Sequence, residues 1–237
     1  MPGKGTTSDS NRAAVRRDRI LLALAFTAGC VDALSYLGLS RVFTANMTGN
    51  AVLLGLAIGQ TQELQVAHST AAIVGFVLGV IVAAKLVGTP RERVVWSPRI
   101  TLALCVEFAV LVVFAIAWWL SLPPFAGGVL IVLIVLSGVA MGIQSAVARR
   151  LAVPGVTTTY ITGTITALVA ELTAVSGAPG ERRRMTAVIG ALVAGAVTGG
   201  VAQAYVRPAA ALVPAAVVAA ILIAVAGFRR ATSGEAR

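Results

Sequence analysis

The sequence predicts an all-α polytopic membrane protein with six transmembrane helices, two short re-entrant half-helices and an inverted 3+3 repeat. Three observations predict this class. Hydrophobic residues make up 58% of the 237 residues and charged residues only 12%, about half the charged share of a soluble domain. Six apolar runs are long enough to cross a ~30 Å hydrocarbon core, which takes roughly 20 residues. A short polar pattern around Thr-Gly also occurs once in each half of the chain.

Each predicted span is a long apolar run bounded by polar or turn residues. The six runs are Ile20–Leu39, Ser69–Val87, Ile100–Leu122, Phe125–Val147, Met185–Val206 and Pro208–Phe228. Two further apolar segments, Met47–Ile58 and Ile161–Val175, are too short to span. This division predicts a basic cytoplasmic tail at 1–19, a first membrane repeat at 20–122, a second at 123–229 and a C-terminal cytoplasmic tail at 230–237.

The arginines decide between two topologies. Either all eight segments span, or the two short ones enter and leave on the same side of the membrane. With a cytoplasmic N-terminus, the eight-span arrangement puts the basic segment 91–99 outside, against the positive-inside rule. The six-span arrangement puts 91–99, 149–150 and 182–184 inside, and it leaves outside the linker 59–68, which contains no Lys or Arg. We therefore favour six spans in a bacterial inner membrane, with both termini cytoplasmic. Each half then has an odd number of spans, so the second half is inverted.

The net charge of +10 would also fit a nucleic-acid-binding protein. The basic residues, however, lie beside the ends of apolar runs, as at 12–19 and 229–230. We therefore expect anionic lipid, and not nucleic acid, as their partner. The cysteines Cys30 and Cys105 fall inside apolar runs and His68 is the sole histidine, so neither a disulfide framework, a metal site nor a cofactor is expected. The oligomeric state is open, and a homo-oligomer is compatible with the sequence.

The repeated pattern predicts a solute site. Phe43–Asn50 reads FTANMTGN and Thr157–Thr164 reads TTTYITGT, so Thr-Gly recurs in register. An extended 40–47 segment reaches at most ~26 Å, and a helix over 48–59 rises ~18 Å, about half the bilayer. Both Thr-Gly steps would then open helices near the midplane, where free N–H groups and the helix dipole suit an anion or a polar solute. The predicted solute-binding residues are Thr48, Gly49, Asn50, Thr162, Gly163, Thr164 and Gln144.

The alternative for these residues is purely structural. Thr and Asn are ordinary helix N-caps, and in lipid the backbone groups at a helix start must be satisfied internally. The alignment of the two halves also pairs Asp32 with Gln144 and Gly79 with Gly195, but only with gaps. Gln144 could face Asp32 across the pseudo-symmetry axis, or it could hydrogen-bond neighbouring helices.

Two carboxylates lie inside apolar runs. Asp32 sits about two-thirds along the first run, where a charge costs at least ~2.5–3.5 kcal/mol and needs a partner or a wet cavity. We expect it to couple protons or to shape a pore. Its structural alternative is a hydrogen-bonded Asp that locks the two halves together. Glu107 is the second proton-coupling candidate; it could pair with Lys85 or line the same cavity as Asp32.

The chain resembles the YoaK family of bacterial inner-membrane proteins, whose function is uncharacterised. The resemblance rests on Gly29–Asp32, Phe43–Gly55, Gly142–Gln144 and Thr158–Thr164, and it covers nearly the whole chain outside the tails. It implies a polytopic protein of about six spans. It implies no substrate and no catalytic residues.

The function that these features favour is a transporter or channel for a small polar or anionic solute. The alternative is a non-transporting structural or regulatory membrane protein, which would explain the glycines and basic tails but not two polar interruptions in register. An intramembrane enzyme is least favoured, because the apolar runs contain no histidine and the sequence has no nucleophile–base or metal motif. No catalytic residue is assigned. The sequence also has no nucleotide-binding motif, so ATP drive within this chain is not expected.

Overall fold

A computed structural model describes residues 5–88, 96–121, 124–151, 164–166, 168–169 and 179–234. The described secondary structure in these ranges is helical. The helices are α1 Gly5–Gly38, α2 Met47–Gly59, α3 Glu63–Val87, α4 Pro98–Ser121, α5 Gly127–Leu151, α6 Pro179–Tyr205, a 3-10 turn Arg207–Ala209, and α7 Leu212–Gly234. The predicted start of the second short segment, 161–163, lies outside the described residues.

The six predicted spans are confirmed as helices of spanning length. Ala13–Gly38, Glu63–Val87, Pro98–Ser121, Gly127–Leu151, Gly180–Tyr205 and Arg207–Gly227 are each long and apolar enough to cross a membrane. The segment predicted at 47–58 forms α2, an apolar helix of 13 residues. At ~1.5 Å per residue it is about 20 Å long, too short to span.

Glycines bring α1 and α6 into direct backbone contact. A Cβ added at Gly29 would lie 2.0 Å from the carbonyl oxygen of Leu192, and one added at Gly195 would lie 1.9 Å from that of Phe26. Gly199 faces the carbonyl of Cys30 in the same way, at 2.6 Å. Since Phe26 meets residue 195 and Cys30 meets residue 199, the two helices run parallel. Small residues permit such close approach between membrane helices.

A second crossing of the same kind joins α3 and α5. A Cβ at Gly79 would lie 2.1 Å from the carbonyl oxygen of Val139, and one at Gly142 would lie 2.1 Å from that of Phe76. Gly75 and Gly138 extend the contact by one turn. These two helices are also parallel, because higher residue numbers on α3 meet higher numbers on α5.

Three of the four apolar clusters among the described residues stack from one end of the bundle to the other. We call them the basic-end, central and far-end clusters. The basic-end cluster contains Leu21, Leu24, Val87, Ile100, Leu104, Ile143, Leu151, Met185, Val188, Ile221 and Val225. The far-end cluster contains Leu39, Val42, Ala72, Phe114, Trp118, Leu130, Leu133 and Ala211. The central cluster contains Ala28, Val31, Ala45, Leu111, Ala140, Met141, Ala215 and Val218.

The clusters give the direction of each helix. The basic-end cluster includes Leu21 from the first half of α1 but Val87 from the last turn of α3. The far-end cluster takes the opposite ends, through Leu39 and Ala72. Thus α1 and α3 run in opposite directions, although α2 lies between them in the chain. Across the bundle, the six long helices alternate in direction.

Candidate functional site

Asp32 fastens the connection between α1 and α2. Its Oδ1 accepts hydrogen bonds from the backbone N–H groups of Thr44 at 2.9 Å and Ala45 at 2.7 Å. The backbone of Asn46 also interacts with this carboxylate. Asp32 lies six residues before the end of α1, so the loop descends about 9 Å alongside the helix to reach it. The carboxylate therefore has hydrogen-bond partners, and it binds its own half of the chain.

The descent begins with a sharp reversal. Ser40 and Arg41 both adopt positive φ angles of 59°, a conformation that non-glycine residues seldom take. Inside the turn, the buried hydroxyls of Thr44 and Ser35 lie 3.5 Å apart, and the Ser35 hydroxyl also donates to the Asp32 carbonyl at 3.1 Å. The ring of Tyr36 stacks on that of Phe43 with centroids 5.2 Å apart. Through these contacts the loop packs against α1.

The first turn of α2 is locked by Asn50. This fully buried side chain accepts from the backbone N–H of Phe43 at 2.9 Å and donates to the carbonyl of the same residue. Asn46 caps the helix by accepting from the N–H of Gly49 at 3.2 Å. A Cβ at Gly49 would lie 2.8 Å from the Phe43 ring, so a larger residue there would displace that ring. Of the predicted binding residues in this segment, Asn50 and Gly49 therefore have structural roles, while the Thr48 side chain is exposed.

The start of α2 lies halfway through the bundle. Ala45, two residues before the helix, packs in the central cluster with Ala28, Leu111 and Met141. Each of these lies near the middle of its span. The helix then returns toward the far end, where a short turn leads into α3. The Thr-Gly step of the first copy is therefore at mid-depth, with Thr48 open to its surroundings.

The second copy is described in part. Thr164 is buried and lies in the described helical residues 164–166, and it has interactions of its own. In the alignment of the two halves it is the counterpart of Asn50, which is also buried at the start of a short helix. Thr162 and Gly163 lie outside the described residues.

Glu107 is enclosed in the bundle. Its exposed fraction is 0%, and both carboxylate oxygens lack a hydrogen-bond partner within the part of the chain that the structure describes. The alternative partner Lys85 is exposed near the end of α3. Glu107 stands on α4 between Leu104 of the basic-end cluster and Leu111 of the central cluster. It does not join Asp32, whose described partners are backbone groups of the loop.

Gln144 is also fully buried, but its contact on α1 lies closer to the basic end of the bundle than Asp32 does. Its Nε2 donates to the carbonyl of Leu24 at 2.9 Å, while its Oε1 has no partner among the described residues. The second alternative for Gln144, a hydrogen bond to a neighbouring helix, is therefore the one observed, and its partner Leu24 lies eight residues before Asp32 on α1.

Sequence reasoning missed several buried polar residues. Thr27 is fully buried and its hydroxyl donates to the Ala23 carbonyl at 3.0 Å. Gln203 is 5% exposed near the far end of α6, with an oxygen that has no partner among the described residues. Trp118, which looks like an interface aromatic at its span end, is fully buried and donates to the carbonyl of Arg207 at 2.9 Å. The sequence signal that could have identified these buried residues is a polar residue flanked by apolar ones on the same helix face.

Comparisons with known proteins agree with this architecture. Residues 20–225 match the model of a family described as "Protein of unknown function (DUF1275)". The chain is 42% identical over 161 residues to the UPF0700 transmembrane protein YoaK of Bacillus subtilis (strain 168), an alignment that covers 68% of this chain and 69% of the relative. No solved structure matches.

Proposed function

This chain belongs to the DUF1275 family, and we propose that it is a non-enzymatic transporter or channel for a small polar or anionic solute. The solute would bind at mid-depth between the starts of two re-entrant half-helices. The observation that carries the proposal is the position of Ala45 in the central cluster. It supports a Thr-Gly helix start halfway across the bilayer, which a purely packed bundle of six helices would not need.

The proposed topology is six spans with two re-entrant segments and both termini in the cytoplasm of a bacterial inner-membrane protein. Its support is the opposite direction of α1 and α3, since a spanning α2 would make them parallel. The described arginines add to it by collecting at the basic end: 16–19 precede the core of α1, Arg99 starts α4, 149–150 end α5, and 182–184 start α6. Only Arg41 and Arg207 among the described arginines lie at the far end, as the positive-inside rule favours. Anionic lipid is the proposed partner of the basic end.

An inverted repeat is the second part of the proposal, and the two glycine crossings support it. The pairs Gly29 with Gly142 and Phe26 with Val139 are each 113 positions apart. The pairs Gly79 with Gly195 and Phe76 with Leu192 are each 116 positions apart. Two unrelated helix crossings would have no reason to share constant offsets. The equivalent helices α1 and α5 run in opposite directions, and so do α3 and α6, as an inverted pair must.

The first half of the proposed site is built by the α2 start. The early N–H groups of a helix have no partner within the helix and carry its positive dipole end. Asn46 caps one of them, while Thr48 presents a hydroxyl from the same turn. A polar side chain exposed at mid-depth is costly against acyl chains, so a wet path or a solute is its most favourable environment. Gly49, Asn50, Thr162, Gly163, Thr164 and Gln144 are kept as the remaining residues of the proposed site.

Asp32 has two proposed roles. Its hydrogen bonds to Thr44 and Ala45 make it the anchor that holds the re-entrant loop at mid-depth. Because the same carboxylate borders the proposed site, a proton taken up by Asp32 would weaken those bonds and release the loop. Coupling of protons through Asp32 would thus act by moving α2. Glu107 is the second proposed proton-coupling group.

Cysteine accessibility tests the wet path. In a protein with Cys30 and Cys105 replaced, single cysteines are placed at Thr48 and at Val77, which is 48% exposed on the outer face of α3. We expect an impermeant thiol reagent to label Thr48→Cys but not Val77→Cys, because only the first borders water. A cysteine at Gln62 should label from the periplasmic side and one at Gly180 from the cytoplasmic side. Cytoplasmic labelling at Gln62 would overturn the six-span topology.

Transport is measured on proteoliposomes by stopped-flow light scattering, with sodium formate and glycerol as an anionic and a neutral probe. We expect faster solute entry than in protein-free vesicles for at least one probe, and slower entry for Thr48→Val. The alternative, a non-transporting structural or regulatory protein, predicts a sealed Thr48→Cys and no flux of either probe.

A further inference from the structure

A buried polar layer crosses the bundle between the basic-end and central clusters. On α4, Glu107 follows Leu104 of the basic-end cluster and precedes Leu111 of the central cluster. On α5, Gln144 lies beside Ile143 of the first cluster and three residues after Met141 of the second. Its bond to the Leu24 carbonyl brings α1 into the same layer. Both side chains are fully buried.

This layer has an excess of acceptors. Both Glu107 oxygens and the Gln144 Oε1 lack partners among the described residues. The Gln144 Nε2 donor is already committed to the Leu24 carbonyl, and the hydroxyl of the neighbouring Ser145 has no partner among the described residues. An isolated buried carboxylate costs far more than a marginally stable protein can offset, so the group is neutralised. Either a proton or a bound cation must supply the missing positive charge.

The donor set fits a proton better than a metal ion. Ca²⁺ takes six to eight oxygen ligands and Mg²⁺ needs a near-octahedral set, whereas the layer offers two carboxylate oxygens and one amide oxygen. No group of three or more His, Cys, Asp or Glu residues able to hold a metal occurs within the described ranges. A protonated carboxyl needs only one acceptor for its O–H, and the unpaired Gln144 Oε1 lies in the same layer.

The central cluster separates this layer from the proposed solute site. Ala45 of the re-entrant loop packs in this cluster with Leu111, Met141 and Val218, and Asp32 accepts a hydrogen bond from its backbone N–H. The eight side chains of the cluster are apolar and offer a proton no hydrogen-bonding group.

We infer that Glu107 carries a proton in this closed arrangement and that the central cluster isolates that proton from the solute site. The second half of this inference rests on the proposed transport function. Under that function, Glu107 holds the proton of the closed arrangement, while Asp32 anchors the loop and releases it when it takes up a proton of its own. Opening of the central cluster would let the proton leave together with, or against, the solute.

Infrared spectroscopy of the full-length protein in lipid vesicles tests the inference without any solute. A protonated carboxylic acid has a C=O stretching band well separated from that of a carboxylate. In wild-type protein at neutral pH, that band should shift when glutamate carboxyls are labelled with ¹³C and should stay in place when aspartate carboxyls are labelled. Glu107→Gln should abolish it. Should that variant fail to fold, Glu107→Asp should move the band to the aspartate-labelled sample.

Deuterium exchange of the same band tests the isolation. In D₂O the wild-type band should shift slowly. Leu111→Ala, in the central cluster, should accelerate that shift about tenfold or more, because truncating a buried leucine lowers the cost of opening. Leu133→Ala removes an equally buried leucine from the far-end cluster and should leave the rate near that of wild type. An absent glutamate band, a band that survives in Glu107→Gln, or equal acceleration by both leucine variants overturns the inference, whatever the transport assays show.

Discussion

The α1–α6 crossing makes a sharp prediction about one glycine. In Gly195→Ala the new methyl group would lie 1.9 Å from the Phe26 carbonyl oxygen, whereas ordinary contact begins at 3.4 Å. The two helices must therefore separate by about 1.5 Å along that line, the difference between the two distances. The obstruction is backbone, so no side-chain rotation relieves it. The next glycine contact, Gly199 against the Cys30 carbonyl, would open at the same time.

The expected cost follows from overpacking. Inserting a methyl group into a filled site costs about 1–3 kcal/mol, and the separated helices also lose contacts elsewhere along the crossing. Gly200 on the same helix gives the matched control, since nothing lies within 4 Å of its added Cβ. There, alanine gains up to about 1 kcal/mol of helix propensity over glycine. The two substitutions should thus change the free energy of unfolding in opposite directions.

The assay is reversible unfolding in detergent micelles, followed by circular dichroism for wild type, Gly195→Ala and Gly200→Ala. We expect the first variant to unfold at lower denaturant and the second at or above the wild-type midpoint. Equal midpoints for the two variants would refute the close crossing and, with it, the register on which the inverted repeat rests.

Substitutions at three other residues, Asp32, Asn50 and Trp118, test the loop and the far end. Asp32→Ala leaves two loop N–H groups unpaired and should lower the free energy of unfolding by about 1–3 kcal/mol for each buried group. Asp32→Asn keeps an acceptor, so it should unfold near the wild-type midpoint, but it should abolish solute flux. Normal flux in that variant would remove the coupling role. Asn50→Ala breaks both bonds to the Phe43 backbone and should lower stability by a similar amount, measured by the same unfolding titration. Trp118→Phe loses the hydrogen bond to a backbone carbonyl and should lower the free energy of unfolding by about 0.5–1.5 kcal/mol. Trp119 is 52% exposed and should tolerate the same change. Equal losses of stability in the two variants would contradict the buried hydrogen bond of Trp118.

The spans were predictable from sequence because their cause is one-dimensional: apolar length sets which segments can cross. The orientation of the two ends, argued from the arginines, stays a prediction. The structure ends the first predicted span at Gly38, one residue from the prediction. The predicted Met47–Ile58 segment matches α2, Met47–Gly59, for a similar reason, since it was identified as an apolar run.

The roles of the polar residues were not predictable in the same way, because they depend on contacts between distant segments. Asp32 and Glu107 look alike in sequence, as single carboxylates inside apolar runs. Only the fold shows that a loop twelve and thirteen residues later returns to satisfy Asp32, while nothing in the described chain satisfies Glu107. Asn50 likewise suggested a ligand, yet its amide is used by Phe43.

The order of the layers also bears on how a bundle of this kind could conduct a solute. The loop that Asp32 binds descends from the far end to the central cluster, and the buried Glu107 layer lies beyond it toward the basic end. Four of the eight central residues are alanines, which leave room for helices to slide with little loss of contact. If the second half repeats the first in inverted orientation, its half-helix approaches the same cluster from the basic end. Movement of either half-helix would then open one side while the small-residue layer stays closed on the other, which is the arrangement that alternating access requires.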